Sequence, residues 1–342
     1  MKRWLITCLK IGLPLALFVW LLRQIPASDY EDFFSRPKRW DCLLGAQAIA
    51  LVAVIITFTR WQKLVHAFGI PFTTAEAMKL GFLSYFMNFV SFGSIGGDLF
   101  KAVLVAKQKP QARPEAVASV LLDRAIGLLG LIILAAISLV IFPPKELSAV
   151  FVSIRDVSII LSIGSIVALM LAVFSGRWFD RLINWGERLP ILGSPLAKWL
   201  AALAHAAQRH APIVSLIVAS VCVHSMLALS IYLISCGLYP DHPSLTEHLF
   251  VVPTGMAAGA LPLAPGGLGT QEFVLDRLFG MLQDRTGSYS GVLVSTVYRL
   301  ITLAIAGIGL VYYGTSRGKE LAEARVAAEE LARADESREP QS

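Results

Sequence analysis

Arg124 and Arg299 each stand inside a long apolar run, at 116–141 and 291–313. A guanidinium near the centre of a membrane-length helix costs about 2.5–3.5 kcal/mol on insertion scales, so each must face a charged partner or a water-filled cavity. Helical rise places both within roughly 6 Å of mid-depth. Facing one cavity, the two planar groups would grip a phosphate-bearing group through paired N–H donors. The alternative is internal pairing, with Arg124 on Asp98 or Asp123 and Arg299 on Glu272, which would lock parts of the chain together.

The acids recur in a pattern. Gly96-Gly97 leads into Asp98 and the amphipathic stretch Asp98–Gln108, and Gly266-Gly267 leads through Gly269-Thr270-Gln271 into Glu272 and the stretch 272–283. Arg124 follows Asp98 by 26 positions and Arg299 follows Glu272 by 27. An acid in the first turn of a helix is favoured by the helix dipole. The same acid could equally serve as charge partner of an arginine or as a proton-sensitive gate. Diglycine permits a tight turn and close backbone approach, and the exposed N–H groups of the next helix suit an anion; glycine also lets a bent segment pack on its neighbours. Asn88 and Gln271 could donate hydrogen bonds within a cavity or be satisfied by backbone carbonyls.

Other chemistry finds little support. Six histidines are scattered, and His205 and His210 are five apart, wrong for two ligands on one helical face, so neither a metal nor a cofactor is expected. Walker A, G-x-S-x-G and H-E-x-x-H patterns are missing from the sequence, which disfavours ATP-driven or hydrolytic work by this chain.

These groups must be positioned by a chain of 342 residues, 56% hydrophobic and only 16% charged; a soluble domain carries about 25% charged residues. Mean hydropathy is +0.65. Too little polar surface is present to cover such a core, so the protein is integral to a membrane, and disorder, collagen-like repeats and a small disulfide-stapled module are excluded. The net charge of +6 reads as an excess facing anionic lipid headgroups, with no nucleic-acid partner. Cys8, Cys42, Cys222 and Cys236 lack paired spacing and read as small buried hydrophobes.

Six segments are long and apolar enough to span about 30 Å of hydrocarbon: 4–22, 42–59, 116–141, 158–175, 213–237 and 291–313. The first is expected to be an uncleaved span, because Trp4 and Lys10 interrupt it and Ile25-Pro26-Ala27 is a poor cleavage site. Segments 77–97 and 247–268 are apolar but broken by glycine and proline. If both cross, 12 Lys/Arg lie inside and 15 outside; if both re-enter, 20 lie inside and 8 outside. Only the second count obeys the positive-inside rule. Units 4–141 and 158–313 then each hold three crossings and one broken segment, so one is inverted relative to the other, and broken segments in matching positions point to a transporter's binding site. Residues 176–212 are expected to form interfacial cytoplasmic helices carrying Trp178, Trp185 and Trp199, and 317–342 a charged cytoplasmic tail, with no appended catalytic domain.

Three stretches carry a family likeness: Gly96-Gly97-Asp98-Leu99-Phe100-Lys101, Leu122-Asp123-Arg124-Ala125-Ile126-Gly127-Leu128, and Leu261-Pro262-Leu263-Ala264-Pro265-Gly266-Gly267-Leu268-Gly269-Thr270-Gln271-Glu272. Through them the chain resembles the flippase-like membrane family related to the transmembrane region of lysylphosphatidylglycerol synthase, over about 4–315. It departs from that family's pattern at Asp123, where glutamate is common, and at Ser94-Ile95, where a proline often precedes the first diglycine. The resemblance implies movement of a phosphate-containing or modified lipid between leaflets. It does not imply lysyl transfer, which belongs to a separate soluble domain in the two-part synthases.

The sequence thus predicts an all-α polytopic membrane protein of six full spans and two re-entrant segments, with both termini cytoplasmic in a bacterial inner membrane. The expected binding set is Arg124, Arg299, Asp98, Glu272, Gly96, Gly97, Gly266, Gly267, Asp123 and Gln271, facing an anionic or polyprenyl-phosphate lipid. The protein is expected not to be an enzyme. The alternatives are a glycosyl- or phosphotransferase acting on a polyprenyl-phosphate, which the lack of an Asp-x-Asp pair weakens, and a non-catalytic scaffold. The sequence is also compatible with a homo-oligomer or a partner from cell-envelope biosynthesis.

Overall fold

A computed structural model describes residues 34–90, 96–108, 112–144, 148–174, 213–260, 269–282 and 289–315, with Arg23, Arg181 and Asn184. All regular structure among them is helical, in the order α1 (Trp40–Ala67), α2 (Thr74–Val90), α3 (Gly96–Gln108), α4 (Arg113–Ile141), α5 (Ala149–Phe174), α6 (Ile213–Leu238), α7 (Leu245–Ala260), α8 (Thr270–Gly280) and α9 (Gly291–Thr315). Five of these stretches are long and apolar enough to cross a membrane: Trp40–Ala67, Glu115–Ile141, Ala149–Ala168, Ile213–Leu238 and Gly291–Gly314. The protein is therefore a polytopic helical membrane protein. The expected span 4–22, the loop helices of 176–212 and the tail 317–342 lie outside the described residues, apart from Arg181 and Asn184.

Each of the two Gly/Pro-containing segments contributes a helix, and the next described helix in the chain, shorter than the first, packs against it, α3 on α2 and α8 on α7. The described helices α2 and α7 have 17 and 16 residues, about 25 Å of helical rise each. Both begin with the same reciprocal cap. Thr73 Oγ1 accepts from Glu76 N at 3.2 Å while Glu76 Oε2 accepts from Thr73 N at 2.7 Å. Ser244 and Glu247 repeat this at 3.3 and 2.6 Å. Such a capping box satisfies N–H groups that the first helical turn leaves unpaired.

The packing is paired across the chain. The helix α2 lies on α9 as α7 lies on α4; α3 lies on α4 as α8 lies on α9; α1 contacts α4 and α9 as α6 contacts α9 and α4; and α1 and α6 pack on each other. One apolar core gathers Phe58, Phe82, Phe151, Phe250 and Phe279, and a second gathers Trp61, Phe72, Leu83 and Phe100. Small residues set the closest approaches. A Cβ at Gly309 of α9 would collide with the Phe82 carbonyl of α2, and one at Gly130 of α4 with Ser220 of α6. Without a hydrophobic force between helices in lipid, such small-residue contacts are what bring backbones together.

Three expectations need correction. The first described span runs to Ala67, not 59, because Arg60, Lys63 and His66 continue the helix past its apolar stretch. The helix expected from 158 begins at Ala149, since Arg155 pairs with its neighbour Asp156 at 2.9 Å and both are carried on the helix. The cysteines are not uniformly buried: Cys42 is, but Cys222 is exposed on α6, and both are free thiols, as is Cys236.

Candidate functional site

A cavity of about 320 Å³ opens between α1, α2, α4, α6, α7, α8 and α9. Its wall is mainly apolar, including Val54, Phe58, Val223 and Leu227, with Arg60, His224, Asn88, Gln271, Tyr298 and Arg299 among its polar residues. Gly127 and His224 lie at the middle of α4 and α6, so the cavity sits at mid-depth of the helices that frame it.

Arg299 Nε and Nη2 donate to Glu272 Oε1 at 3.0 and 2.5 Å. The other oxygen, Glu272 Oε2, accepts from Gly269 N at 2.8 Å. One carboxylate therefore serves both as counter-charge and as cap of α8. Gly269 has φ +84, a left-handed conformation that an L side chain resists, and it turns the chain into α8 so that Glu272 points back across its own N-terminus. The pair is buried, with side-chain exposures of 13% and 1%.

Arg124 is bonded to Asp98, as the spacing allowed, with exposures of 35% and 21%. It is not among the described residues that line the cavity. The cavity's second guanidinium is Arg60. Its Nε donates to Asp123 Oδ1 at 2.9 Å and its Nη2 to the Asp123 carbonyl at 3.2 Å, with exposures of 4% and 10%. Asp123 therefore partners Arg60, not Arg124, its neighbour in sequence. Successive helical residues project about 100° apart, so Asp123 turns to α1 while Arg124 turns to α3.

Gly96 and Gly97 open α3, where Gly97 N donates to Asn88 Oδ1 at 3.0 Å and Ser84 Oγ donates to the Gly97 carbonyl at 2.6 Å. A Cβ at Gly97 would collide with the backbone carbonyl of Ser84 and with the Asn88 side chain, so the close approach of α3 to α2 requires glycine. Gln271 faces the cavity from α8, packed beside Gly259 of α7. Gly266 and Gly267 lie outside the described residues. Of the expected set, then, Arg299 and Gln271 line the cavity, Glu272 and Asp123 hold its arginines, and Asp98 and Arg124 form a separate pair.

Sequence reasoning missed Arg60, one residue past the predicted end of its span, and His224, set aside among scattered histidines. An ionisable group in the middle of a 26-residue apolar helix is itself a signal of function, and His224 met that condition. His224 Nε2 lies 3.0 Å from the Gly127 carbonyl; a carbonyl only accepts, so Nε2 carries the proton. Lys101, in the first of the motif stretches, is buried with its ammonium 4.9 Å from the Trp61 ring and 5.8 Å from that of Phe58, and Phe58 in turn lines the cavity. No group of three or more potential metal ligands occurs among the described residues. A further polar cluster, Ser235 with His248 at 3.0 Å and Tyr289 at 2.9 Å, is buried away from the cavity; burial lifts the phenol of Tyr289, in the turn before α9, above its ordinary range.

The family described as lysylphosphatidylglycerol synthase TM region matches residues 5–309. Neither the curated proteins nor the solved structures yield a match.

Proposed function

This chain belongs to the lysylphosphatidylglycerol synthase TM-region family, and from that premise we propose that it moves a phosphate-containing lipid between the leaflets of a bacterial inner membrane. The observation that carries this reading is the mid-depth cavity whose polar side holds two carboxylate-paired arginines, Arg60 and Arg299. A headgroup would lodge there while the acyl chains stay in the bilayer.

The matched packing of α1–α4 and α6–α9, the twin capping boxes and the packing of α3 on α2 and of α8 on α7 support an inverted pair of repeats, each with a re-entrant arm. Rocking of one half against the other would open the cavity to each leaflet in turn. The Lys/Arg distribution supports cytoplasmic termini. Movement is downhill or coupled to an ion gradient, and the chain acts as a carrier, not as an enzyme.

Reconstitution tests this directly. Purified protein in vesicles with acyl-labelled phosphatidylglycerol should bring label to the outer leaflet, where an impermeant quencher removes it, faster than empty vesicles do. Formation of a new lipid product on incubation with nucleotide-sugar donors, without label movement, would replace the carrier with a transferase.

A further inference from the structure

Where α1 of the first half packs along α6 of the second, two cysteines stand at matching heights. Ser230 Oγ donates to the Ala46 carbonyl at 2.9 Å, and Arg39 N donates to the Gly237 carbonyl at 3.1 Å. Between these points a Cβ on Gly45 would meet Leu233 Cδ1 at 3.5 Å. The helices therefore run antiparallel, and positions falling along α1 meet positions rising along α6. Cys42 lies between Arg39 and Gly45, as Cys236 lies between Leu233 and Gly237.

The faces agree as well as the heights. Cys42, Ala46 and Ala50 are spaced by four and all buried, one stripe of a helix. Cys236 lies three residues past Leu233, about one turn on. Gly45, Ala46, Ser230 and Gly237 are small and let the two backbones come close. Closeness is what a bridge demands, with Cα atoms no more than about 6.8 Å apart. The two thiols lie within electrostatic reach of each other and of Arg39. Both are reduced in the structure, Cys42 Sγ bonded to Asp41 Oδ2 at 3.7 Å and Cys236 to Tyr232.

The remaining condition is an oxidising compartment. A cytoplasmic N-terminus with one crossing ahead of α1 puts the start of α1, and with it the end of α6, on the outer side. We propose that Cys42 and Cys236 are a disulfide site, oxidised in the periplasm, that staples the two halves together at their outer ends. Cys236, the more exposed thiol, attacks as thiolate the disulfide of a periplasmic dithiol–disulfide oxidoreductase and expels one of its sulfurs. Cys42 then attacks the Cys236 sulfur of that mixed disulfide and expels the other. Two electrons pass to the oxidant, and the two thiol protons end on its sulfurs. The bridge depends on the topology given above and on no choice of lipid.

Full-length protein is taken from cells with N-ethylmaleimide added at harvest, digested without reductant and read by mass spectrometry. The expected product is one linked pair of peptides holding Cys42 and Cys236, two hydrogens lighter than the separate peptides and parted by dithiothreitol. Cys42→Ala should leave Cys236 alkylated, and Cys236→Ala should leave Cys42 alkylated. Dithiothreitol should lower the unfolding temperature of the unaltered protein by several degrees, since the bridge closes a long loop, and leave that of Cys42→Ala unchanged. Maleimide on both cysteines of the unaltered protein, or a link to Cys8 or Cys222, would overturn the proposal. If mild copper oxidation of membranes then joins the pair, the fault lies in the outward placement; if it does not, the two thiols do not face each other. A bridge found in protein that moves no lipid would uphold the site and remove the carrier reading.

Discussion

Arg124 and Arg299 follow an acid at nearly the same distance, yet they inhabit different surroundings. The Glu272–Arg299 pair is buried, caps a helix and borders the cavity. The Asp98–Arg124 pair is a quarter to a third exposed and stands apart from it. In the first half of the molecule the cavity-facing guanidinium comes instead from Arg60, held by Asp123. A repeated motif therefore fixes which residues pair, while the neighbouring helices decide which pair does the work at the cavity.

The contrast should show first in stability, and most strongly at Glu272. Glu272→Ala removes the carboxylate held by the Arg299 guanidinium and uncaps α8, and thermal unfolding in detergent should register a loss of about 3–5 kcal/mol. Asp123→Ala leaves Arg60 buried without its counter-charge and should cost about 3 kcal/mol on the same assay. Gly97→Ala pushes a methyl into Ser84 and Asn88, an overpacking worth about 1–3 kcal/mol. Asp98→Ala takes the counter-charge from Arg124 but removes no observed helix cap, so it should cost less than Glu272→Ala, about 1–3 kcal/mol. Equal losses for Glu272→Ala and Asp98→Ala would erase the distinction between the two halves.

Much of this arrangement was legible in local spacing. The apolar runs gave the helices, and the acid-to-arginine intervals matched the observed pairs Asp98–Arg124 and Glu272–Arg299. What escaped depends on contacts between distant segments. Arg60 reads as the first cytoplasmic residue after a span until packing extends α1 to Ala67. Asp123 reads as a neighbour of Arg124 until helical geometry turns the two to different helices. Tyr85, Tyr298 and His224 come from α2, α9 and α6, and no periodicity within one helix reveals that they share a cavity.

The most direct test neutralises each pair as a unit, so that no buried charge is left alone. Translocation of acyl-labelled phosphatidylglycerol would be compared in vesicles carrying Glu272→Gln with Arg299→Gln, and in vesicles carrying Asp98→Asn with Arg124→Gln. Loss of lipid movement in the first variant, with movement largely kept in the second, is the expected result. Movement kept in the first and lost in the second would contradict the assignment of the Arg60–Arg299 cavity as the path of the headgroup.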